Sequence, residues 1–227
     1  MRVPIKFIWT HDAFRVGEDG PTHEPVEQEA QLRLMEELRN LSGKRSMLVL
    51  RPADALETNV CWEMALENND TPTGLIFSRQ DIKDLPSVTG DRYREAEGAR
   101  HGGYVVMDTP HPQVILVGNG SEVSTLCQAA VMLEAGEVPC RVVSVPSTGL
   151  FLDQDEDYRR SVIPTGIPVF GLTAGLPSTL RPLVGDKGKI FGLDHFGASA
   201  PYKVLEEKFG FTPENITTEI LKFLHRI

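Results

Sequence analysis

The 227-residue sequence has few cysteines, no excess of basic residues and no long apolar run. Its three cysteines, Cys61, Cys127 and Cys140, include no C-x-x-C pair, which argues against a disulfide framework or a zinc site and favours reduced core residues. The net charge of −9 argues against the basic surface that nucleic-acid binding requires. No apolar run approaches the roughly 20 residues of a membrane helix, and the N-terminus has no signal-peptide pattern. We therefore expect a cytoplasmic protein without nucleic-acid or membrane partners.

The proportions of residue types that are present indicate a folded α/β protein. Hydrophobic residues make up 41% and charged residues 24% of the chain, which is typical of globular domains. Alternating strand and helix patterns divide the chain into a first block (residues 1–80), a connecting segment (residues 81–101) and a second block (residues 102–227). The connecting segment is polar, has no sustained apolar period and is interpreted as a linker.

The first block has the pattern of a parallel α/β unit. Strands and helices alternate in the prediction, at residues 5–9, 25–41, 47–50, 54–67 and 73–77. Val26, Ala30, Leu34 and Leu38 recur every four residues, which predicts the buried face of the first helix. Strands joined by helices run parallel through right-handed crossovers, so residues that follow the strands should leave one edge of the sheet.

The second block has the pattern of a doubly wound domain. Strands are predicted at residues 114–117, 141–145, 169–172 and 190–193, with helical stretches between and after them. Two helix starts carry capping signals, Asp54 followed by Glu57 in the first block and Thr212 before Pro213 in the second.

The most informative segment follows the first predicted strand. Thr10-His11-Asp12 and Gly17-Glu18-Asp19-Gly20-Pro21-Thr22-His23 gather imidazoles and carboxylates around a glycine-proline loop, and ligands bind where loops leave the carboxyl ends of parallel strands. A lone histidine is more often structural, but His11 and His23 are not alone. Asp19 could merely stabilise a turn, and Arg79 could be a surface charge, although a guanidinium at a strand end suits a phosphate group. No role is assigned to His101, His111, His195 and His225.

Two other motifs favour structural interpretations. Gly118-Asn119-Gly120 follows a strand and precedes a helix, but Val123 occupies the place of the third glycine of a dinucleotide fingerprint, so a tight turn is favoured. The acidic residues 153–157 lack the glycine and the terminal glutamate of a calcium-binding loop, so a solvated helix start is favoured.

The histidine loop closely resembles the loop of transketolases that meets thiamine diphosphate and the sugar. Further stretches extend the resemblance over nearly the whole chain: Leu50-Arg51-Pro52-Ala53-Asp54, Ser78-Arg79-Gln80, Gly120-Ser121-Glu122-Val123, Val145-Pro146-Ser147-Thr148 and Phe196-Gly197-Ala198-Ser199-Ala200-Pro201. The resemblance implies part of a thiamine-diphosphate pyrimidine-binding domain with a parallel sheet, followed by a complete transketolase C-terminal domain. It implies transfer of a two-carbon ketol unit between sugar phosphates in the pentose phosphate pathway.

Site residues follow from the resemblance. His23 would lie beside the cofactor's aminopyrimidine ring, and His11 beside the sugar as a binding and proton-transfer residue. Asp19 would accept a hydrogen bond from a sugar hydroxyl, and Arg79 would bind the terminal phosphate. The cofactors implied are thiamine diphosphate and a divalent metal, Mg²⁺ or Ca²⁺, whose ligands are not in this chain.

The regions that the resemblance does not cover limit the expected activity. The domain that binds the diphosphate and metal, and the glutamate that activates the cofactor, are missing from this sequence. We therefore expect the chain to be inactive alone, to need the missing N-terminal region or a subunit that supplies it, and to form a homodimer. A non-catalytic assembly or regulatory module remains an alternative, supported by the edge that a three-stranded sheet would leave unpaired.

Departures from the family pattern leave the substrate open. Ala13-Phe14-Arg15 stands where relatives often have Ser-Ile-Gly, and we expect Phe14 and Arg15 to add bulk and charge within the loop. The stretch of residues 36–44 looks longer than in many relatives. Thr10-His11-Asp12 distinguishes the sequence from deoxyxylulose phosphate synthases, whereas a dihydroxyacetone synthase stays possible.

Overall fold

The computed structural model describes residues 3–225, which form two sheets with helices around them. The first block contains β1 (Lys6–Trp9), α1 (Gln28–Glu37), β2 (Leu48–Leu50), α2 (Ala55–Glu67) and β3 (Thr73–Ile76). Its three strands lie in the order β1-β3-β2 and are all parallel, with Trp9 opposite Ile76. The predicted parallel arrangement is confirmed, and the residues that follow β1 and β3 leave the sheet at the same edge.

The predicted buried face of the first helix is right for Val26, which is buried, and wrong for Leu34 and Leu38, and α1 is shorter than the predicted residues 25–41. Leu34 and Leu38 are 61% and 64% exposed. The buried residues of the helix are all charged: Glu29, Arg33 and Glu36. They face the second block, where Arg33 also donates to the Pro146 carbonyl oxygen at 3.3 Å. The C-terminal half of the predicted apolar face, Leu34 and Leu38, is therefore exposed, because the charged face of the helix has its partners in the interior.

The capping residues of α2 lie as predicted, with one difference. Asp54 Oδ1 accepts a hydrogen bond from the Glu57 amide at 2.7 Å. Glu57 Oε2 accepts from the amide of Ala53 at 2.5 Å, one residue before the capping residue itself. The two carboxylates thus satisfy one amide in the first turn of α2 and one amide just before the helix.

The connecting segment is not irregular throughout. It contains α3 (Arg92–Ala96) and a 3₁₀ turn (Glu97–His101) that pack on α2. Ala96 and Ala99 are fully buried, and Arg92 pairs with Asp54 at 2.8 Å. A short helix anchored by alanines has no apolar period long enough to be recognised in the sequence.

The second block forms a five-stranded sheet in the order β4-β6-β5-β7-β8. Its elements are β4 (Tyr104–Met107), β5 (Val114–Gly118), α4 (Glu122–Ala135), β6 (Cys140–Ser144), α5 (Thr148–Leu152), α6 (Glu156–Val162), β7 (Val169–Leu172), α7 (Arg181–Val184), β8 (Lys189–Phe191), α8 (Tyr202–Phe209) and α9 (Pro213–Leu224). Strands β5 to β8 are parallel, and β4, which the sequence did not predict, is antiparallel to β6. The doubly wound order is confirmed, with its reversal point between β5 and β7.

The two blocks share one hydrophobic core. Leu50 and Leu75 of the first sheet belong to the same buried cluster as Leu116 and Leu126 of the second block. The three cysteines are free and buried, as predicted. Every helix within residues 3–225 is too short or too polar to cross a bilayer.

Candidate functional site

The site loop, residues 10–24, leaves the carboxyl end of β1 in two 3₁₀ turns (Ala13–Val16 and Pro21–His23). Gly17 and Gly20 have φ angles of +93° and +88°. Glycine adopts this region without the steric cost that a β-carbon brings, so the two glycines allow the reversals that fold the loop back on itself.

His11, Asp19 and His23 are exposed on this loop. Each imidazole is hydrogen-bonded through Nδ1 to the hydroxyl of the preceding threonine, at 2.8 Å from Thr10 and 3.1 Å from Thr22. The threonine contact orients each ring and leaves Nε2 directed away from it. Two imidazole nitrogens are therefore accessible for proton exchange at the sheet edge.

A cavity of about 230 Å³ adjoins His11. Its walls include Trp9 and Ile76 from the ends of two strands and Met35 from α1. Apolar side chains make up most of its accessible wall, which also includes His11 and the polar residues Asp12, Gln28, Glu29 and Gln31.

Arg79 lies three residues after β3 and is exposed. Because β1 and β3 are parallel and paired up to Trp9 and Ile76, Arg79 and His11 leave the same sheet edge, as predicted. Among residues 3–225, no hydrogen bond or ion pair joins Arg79 or Asp19 to either histidine. The parallel pairing thus brings His11 and Arg79 to one edge, and the individual roles of His11, Asp19, His23 and Arg79 stay predictions.

Arg51 was not predicted as a site residue, yet it connects the site loop to the second block. The residue follows β2 and is 2% exposed. Its guanidinium donates to Asp12 Oδ2 at 2.8 Å, to Asn119 Oδ1 at 2.6 Å and to Glu122. The only sequence signal was its place in the Leu50-Arg51-Pro52 stretch.

Phe14 and Arg15 are also placed differently from our expectation. Phe14 is fully buried, with its ring 5.4 Å and 4.8 Å from those of Phe209 and Phe211. Arg15 is 2% exposed and pairs with Glu122 and, at 2.8 Å, with Glu206. Their bulk and charge are directed into the second block.

Glu24, beside His23, is a further buried carboxylate that sequence reasoning missed. It is fully buried, and its Oε2 accepts a hydrogen bond from the Ala198 amide at 3.0 Å. Burial raises the pKa of Glu24, because only backbone amides, and no cation, offset the loss of water. Its carbonyl oxygen accepts from Gly197, and Ser199 Oγ donates to the Glu18 carbonyl oxygen at 2.8 Å. Residues 197–199 of the second block therefore form one wall of the site loop.

Similarity to known proteins identifies the family. The transketolase pyrimidine-binding domain matches residues 1–84, and the transketolase-like C-terminal domain matches residues 102–212. The chain belongs to the transketolase family. A Staphylococcus aureus transketolase is 42% identical over 225 residues, which cover 97% of this chain and 32% of the relative. The chain therefore spans about one third of the length of such relatives, and the family resemblance is confirmed.

Solved transketolase structures agree with this assignment. A Pichia stipitis transketolase complex with sedoheptulose 7-phosphate superposes with a TM-score of 0.86 at 32% identity, over 99% of this chain and 30% of that one. The Leishmania mexicana transketolase has a TM-score of 0.81 at 39% identity, over 96% of this chain and 30% of that one. A split-gene transketolase, described as an inactive β4 tetramer, has a TM-score of 0.69 at 23% identity, which shows the fold alone; the match covers 97% of this chain and 67% of that one.

The end of α1 and the residues that follow it also contact the second block. Arg39 and Arg45 both bind the carboxylate of Asp153, at 2.5 Å and 2.7 Å. Asp153 belongs to the acidic run, and Asp155 caps α6 by accepting from the Tyr158 amide at 2.7 Å. Within residues 3–225 no three His, Cys, Asp or Glu side chains are grouped to hold a metal ion. The acidic run therefore serves a helix start and a contact between blocks.

Proposed function

We propose that this chain acts as the C-terminal portion of a transketolase, which transfers a two-carbon ketol unit between ketose and aldose phosphates with thiamine diphosphate. The observation that carries the proposal is the site loop. It presents two oriented, exposed imidazoles and one carboxylate at the carboxyl edge of a parallel sheet. Family membership supplies the reaction class, and the loop supplies residues suited to it.

The two histidines would handle protons. Neutral imidazole exchanges protons near neutral pH, and the threonine contacts hold both rings in fixed orientations. In this proposal His11 binds the sugar and takes or returns a hydroxyl proton as the carbon-carbon bond breaks or forms. His23 stabilises charge beside the reacting hydroxyl and the aminopyrimidine ring.

Asp19 and Arg79 would recognise the sugar phosphate. An exposed aspartate between two glycines can accept a hydrogen bond from a sugar hydroxyl and so select its configuration. Arg79 offers a planar guanidinium, which can bind the terminal phosphate through two parallel hydrogen bonds.

The residues present fit one part of the cofactor. When bound, thiamine diphosphate supplies the carbanion chemistry that the reaction needs. The accessible His23 imidazole and the apolar cavity beside His11 suit a heteroaromatic ring and a sugar. The diphosphate and its Mg²⁺ or Ca²⁺ need ligands that residues 3–225 do not group together, so another polypeptide region would provide them.

A partner that supplies this region is therefore part of the proposal. Strand β1 is an edge strand with partly exposed apolar side chains, of which Phe7 is 41% and Ile8 47% exposed. An edge of this kind invites pairing with a further strand. We propose that the N-terminal region of a transketolase, or a subunit that carries it, adds there, and that the complete enzyme is a cytoplasmic homodimer.

A non-catalytic assembly module is the second candidate, favoured by the same apolar edge. A dihydroxyacetone synthase is a variant of the first, because the site loop would serve both. The acceptor and donor sugars that are turned over would distinguish the two enzymes.

A coupled assay tests the proposal. The purified chain is assayed with xylulose 5-phosphate, ribose 5-phosphate, thiamine diphosphate and magnesium, alone and after addition of the part of the Staphylococcus aureus transketolase that it does not match. We expect no turnover alone and turnover in the mixture, lost in His11→Ala. Turnover by the chain alone would refute the need for a partner, and a mixture that associates without turnover would favour the assembly module.

A further inference from the structure

Two residues of the site loop are bonded to the second block through a single carboxylate. Glu122, the first residue of α4, is fully buried. It accepts hydrogen bonds from Arg15, which lies in the loop, and from Arg51, which binds Asp12. Asp12 is the neighbour of His11, so Glu122 is linked to the loop at two points, within the Ala13–Val16 turn through Arg15 and directly before it through Asp12.

Arg51 is held with little freedom at this junction. Its amide donates to the Pro146 carbonyl oxygen at 3.0 Å, and its own carbonyl oxygen accepts from the Gly120 amide at 3.0 Å. A β-carbon on Gly120, whose φ is +58°, would lie 2.6 Å from the Arg51 guanidinium carbon. Only glycine leaves room for the side chain there.

This junction occupies the reversal point of the second sheet. Gly118-Asn119-Gly120 leaves the carboxyl end of β5, next to β7, where doubly wound domains usually bind a ligand. Here the position contains the Arg51 side chain of the first block. The second domain thus uses its ligand-binding position to hold part of the other domain.

The charges suit a permanent contact. Glu122 lies in the first turn of α4, where the helix dipole favours a negative charge. Burial raises the pKa of the Glu122 carboxyl, but the two guanidinium groups outweigh burial and bring it below the ordinary value. A buried ionised group with two cationic partners is costly to release, because the carboxylate would lose both of them and each guanidinium would lose one of its buried carboxylates.

We propose that Glu122 is a positioning residue of the site loop: through Arg15 and Arg51 the C-terminal domain fixes the backbone that carries His11. The inference rests on the proposed function for its catalytic meaning, and on the ion-pair geometry for its structural meaning. Glu122 touches no reacting atom in this scheme.

Hydrogen exchange of the whole chain gives the structural test. Glu122→Gln keeps the side-chain shape and removes the charge, and Arg92→Met breaks the buried Arg92–Asp54 pair, which does not involve the loop. The measured quantity is the exchange rate of the amides of residues 10–24 divided by that of the β5 amides. We expect this ratio to rise at least tenfold in Glu122→Gln and to stay unchanged in Arg92→Met. If Glu122→Gln does not fold, Arg15→Gln removes only the partner on the loop. Loop exchange that changes in step with β5, or does not change, in the folded variant would overturn the proposal.

Kinetics of the reconstituted mixture give the catalytic test. We expect Glu122→Gln to lower kcat at least tenfold while KM for thiamine diphosphate changes little, and Glu122→Asp to recover part of kcat. An equal loss of kcat in Arg92→Met would point to general destabilisation and overturn the positioning role. If no variant, including the parent chain, turns over sugar phosphates, the proposed function fails, while hydrogen exchange still decides whether Glu122 holds the loop.

Discussion

The two blocks distribute apolar and charged surface in opposite ways. In the second block, helices cover both faces of the sheet, and the interior on each side is apolar. In the first block, α1 turns charged residues inwards and Leu34 and Leu38 outwards, and β1 leaves apolar side chains partly exposed at a sheet edge. The second block therefore has the interior of a self-contained domain. The first block has the surfaces of a part that must be covered on two sides.

The charged side of the first block is already covered by the second block. Arg33 and Arg51 are buried there with carboxylates around them. Such pairs add little net stability compared with apolar packing, but a single partner left alone is costly. The contact between the blocks is thus sensitive to any change that removes one charge.

Among the changes that test this difference between the blocks, Arg51→Met should have the largest effect on stability. It leaves Asp12 and Glu122 buried without their shared cation, so we expect the free energy of unfolding to fall by about 3–5 kcal/mol. Denaturant unfolding of the parent and the variant measures this loss. Arg79→Met, an exposed cation at the same sheet edge, is the control and should change stability by less than about 0.5 kcal/mol. Equal losses in both would show that Arg51 does not anchor the blocks.

A rise in pH from acid to neutral should also weaken the contact between the blocks. Glu57 on α2 is fully buried and accepts a hydrogen bond from Ser144 Oγ of β6 at 2.8 Å. Burial raises the pKa of Glu57 from 4.5 to about 7. The folded state therefore holds a proton that the unfolded state loses first, and this contribution to stability is complete below pH 4.5 and lost as the pH rises to about 7.

Unfolding at a series of pH values measures the Glu57 effect. The raised pKa corresponds to a loss of about 3 kcal/mol between acid and neutral pH from this residue. Other groups face Glu57 as well: Asp54, Cys61, Arg92 and Tyr104. We therefore expect Glu57→Gln to reduce the fall between pH 5 and pH 8, and an unchanged pH dependence in this variant would contradict the assignment.

Exchange rates should differ between the two sheets. Because β1 lies at the edge of its sheet and much of the site loop is exposed, amides of β1 and of residues 10–24 should exchange at least tenfold faster than those of β5 and β7, which corresponds to about 1.4 kcal/mol in opening free energy. Adding the complementary transketolase region should slow the first sheet and leave the second unchanged. Equally slow exchange in both sheets of a demonstrated monomer would show that the first block needs no cover.

The smallest effects on stability should come from the exposed site residues. In the reconstituted enzyme, Arg79→Ala should raise KM for phosphorylated acceptors at least tenfold with little change in kcat, because it removes a ground-state contact. Lys83→Ala removes a nearby exposed cation and serves as the control. Asp19→Ala should reduce discrimination between sugar stereoisomers. An unchanged preference for phosphorylated over unphosphorylated acceptors in Arg79→Ala would rule out its phosphate role.

Patterns in the sequence predicted much of this molecule because they depend on neighbouring residues. Apolar runs predicted seven of the eight strands within residues 3–225, and the Asp54 and Thr212 signals located helix starts that the structure confirms. The chemistry of the site loop could be read because its histidines, its aspartate and its glycines lie within 15 residues. Their contact with ligand stays a prediction, since it depends on groups outside this chain.

Tertiary structure alone decided which charges are buried. Arg15, Arg51 and Glu122 are distant in sequence, and each is a residue type that normally lies at the surface. Burying any one of them is unfavourable until the others are in place, so no local pattern announces the cluster. The same reason explains α1, where Leu34 and Leu38 of the predicted buried face are exposed. The sequence by itself determined the elements and the residues of the site loop, whereas the packing of two sheets determined which carboxylates and guanidinium groups hold that loop.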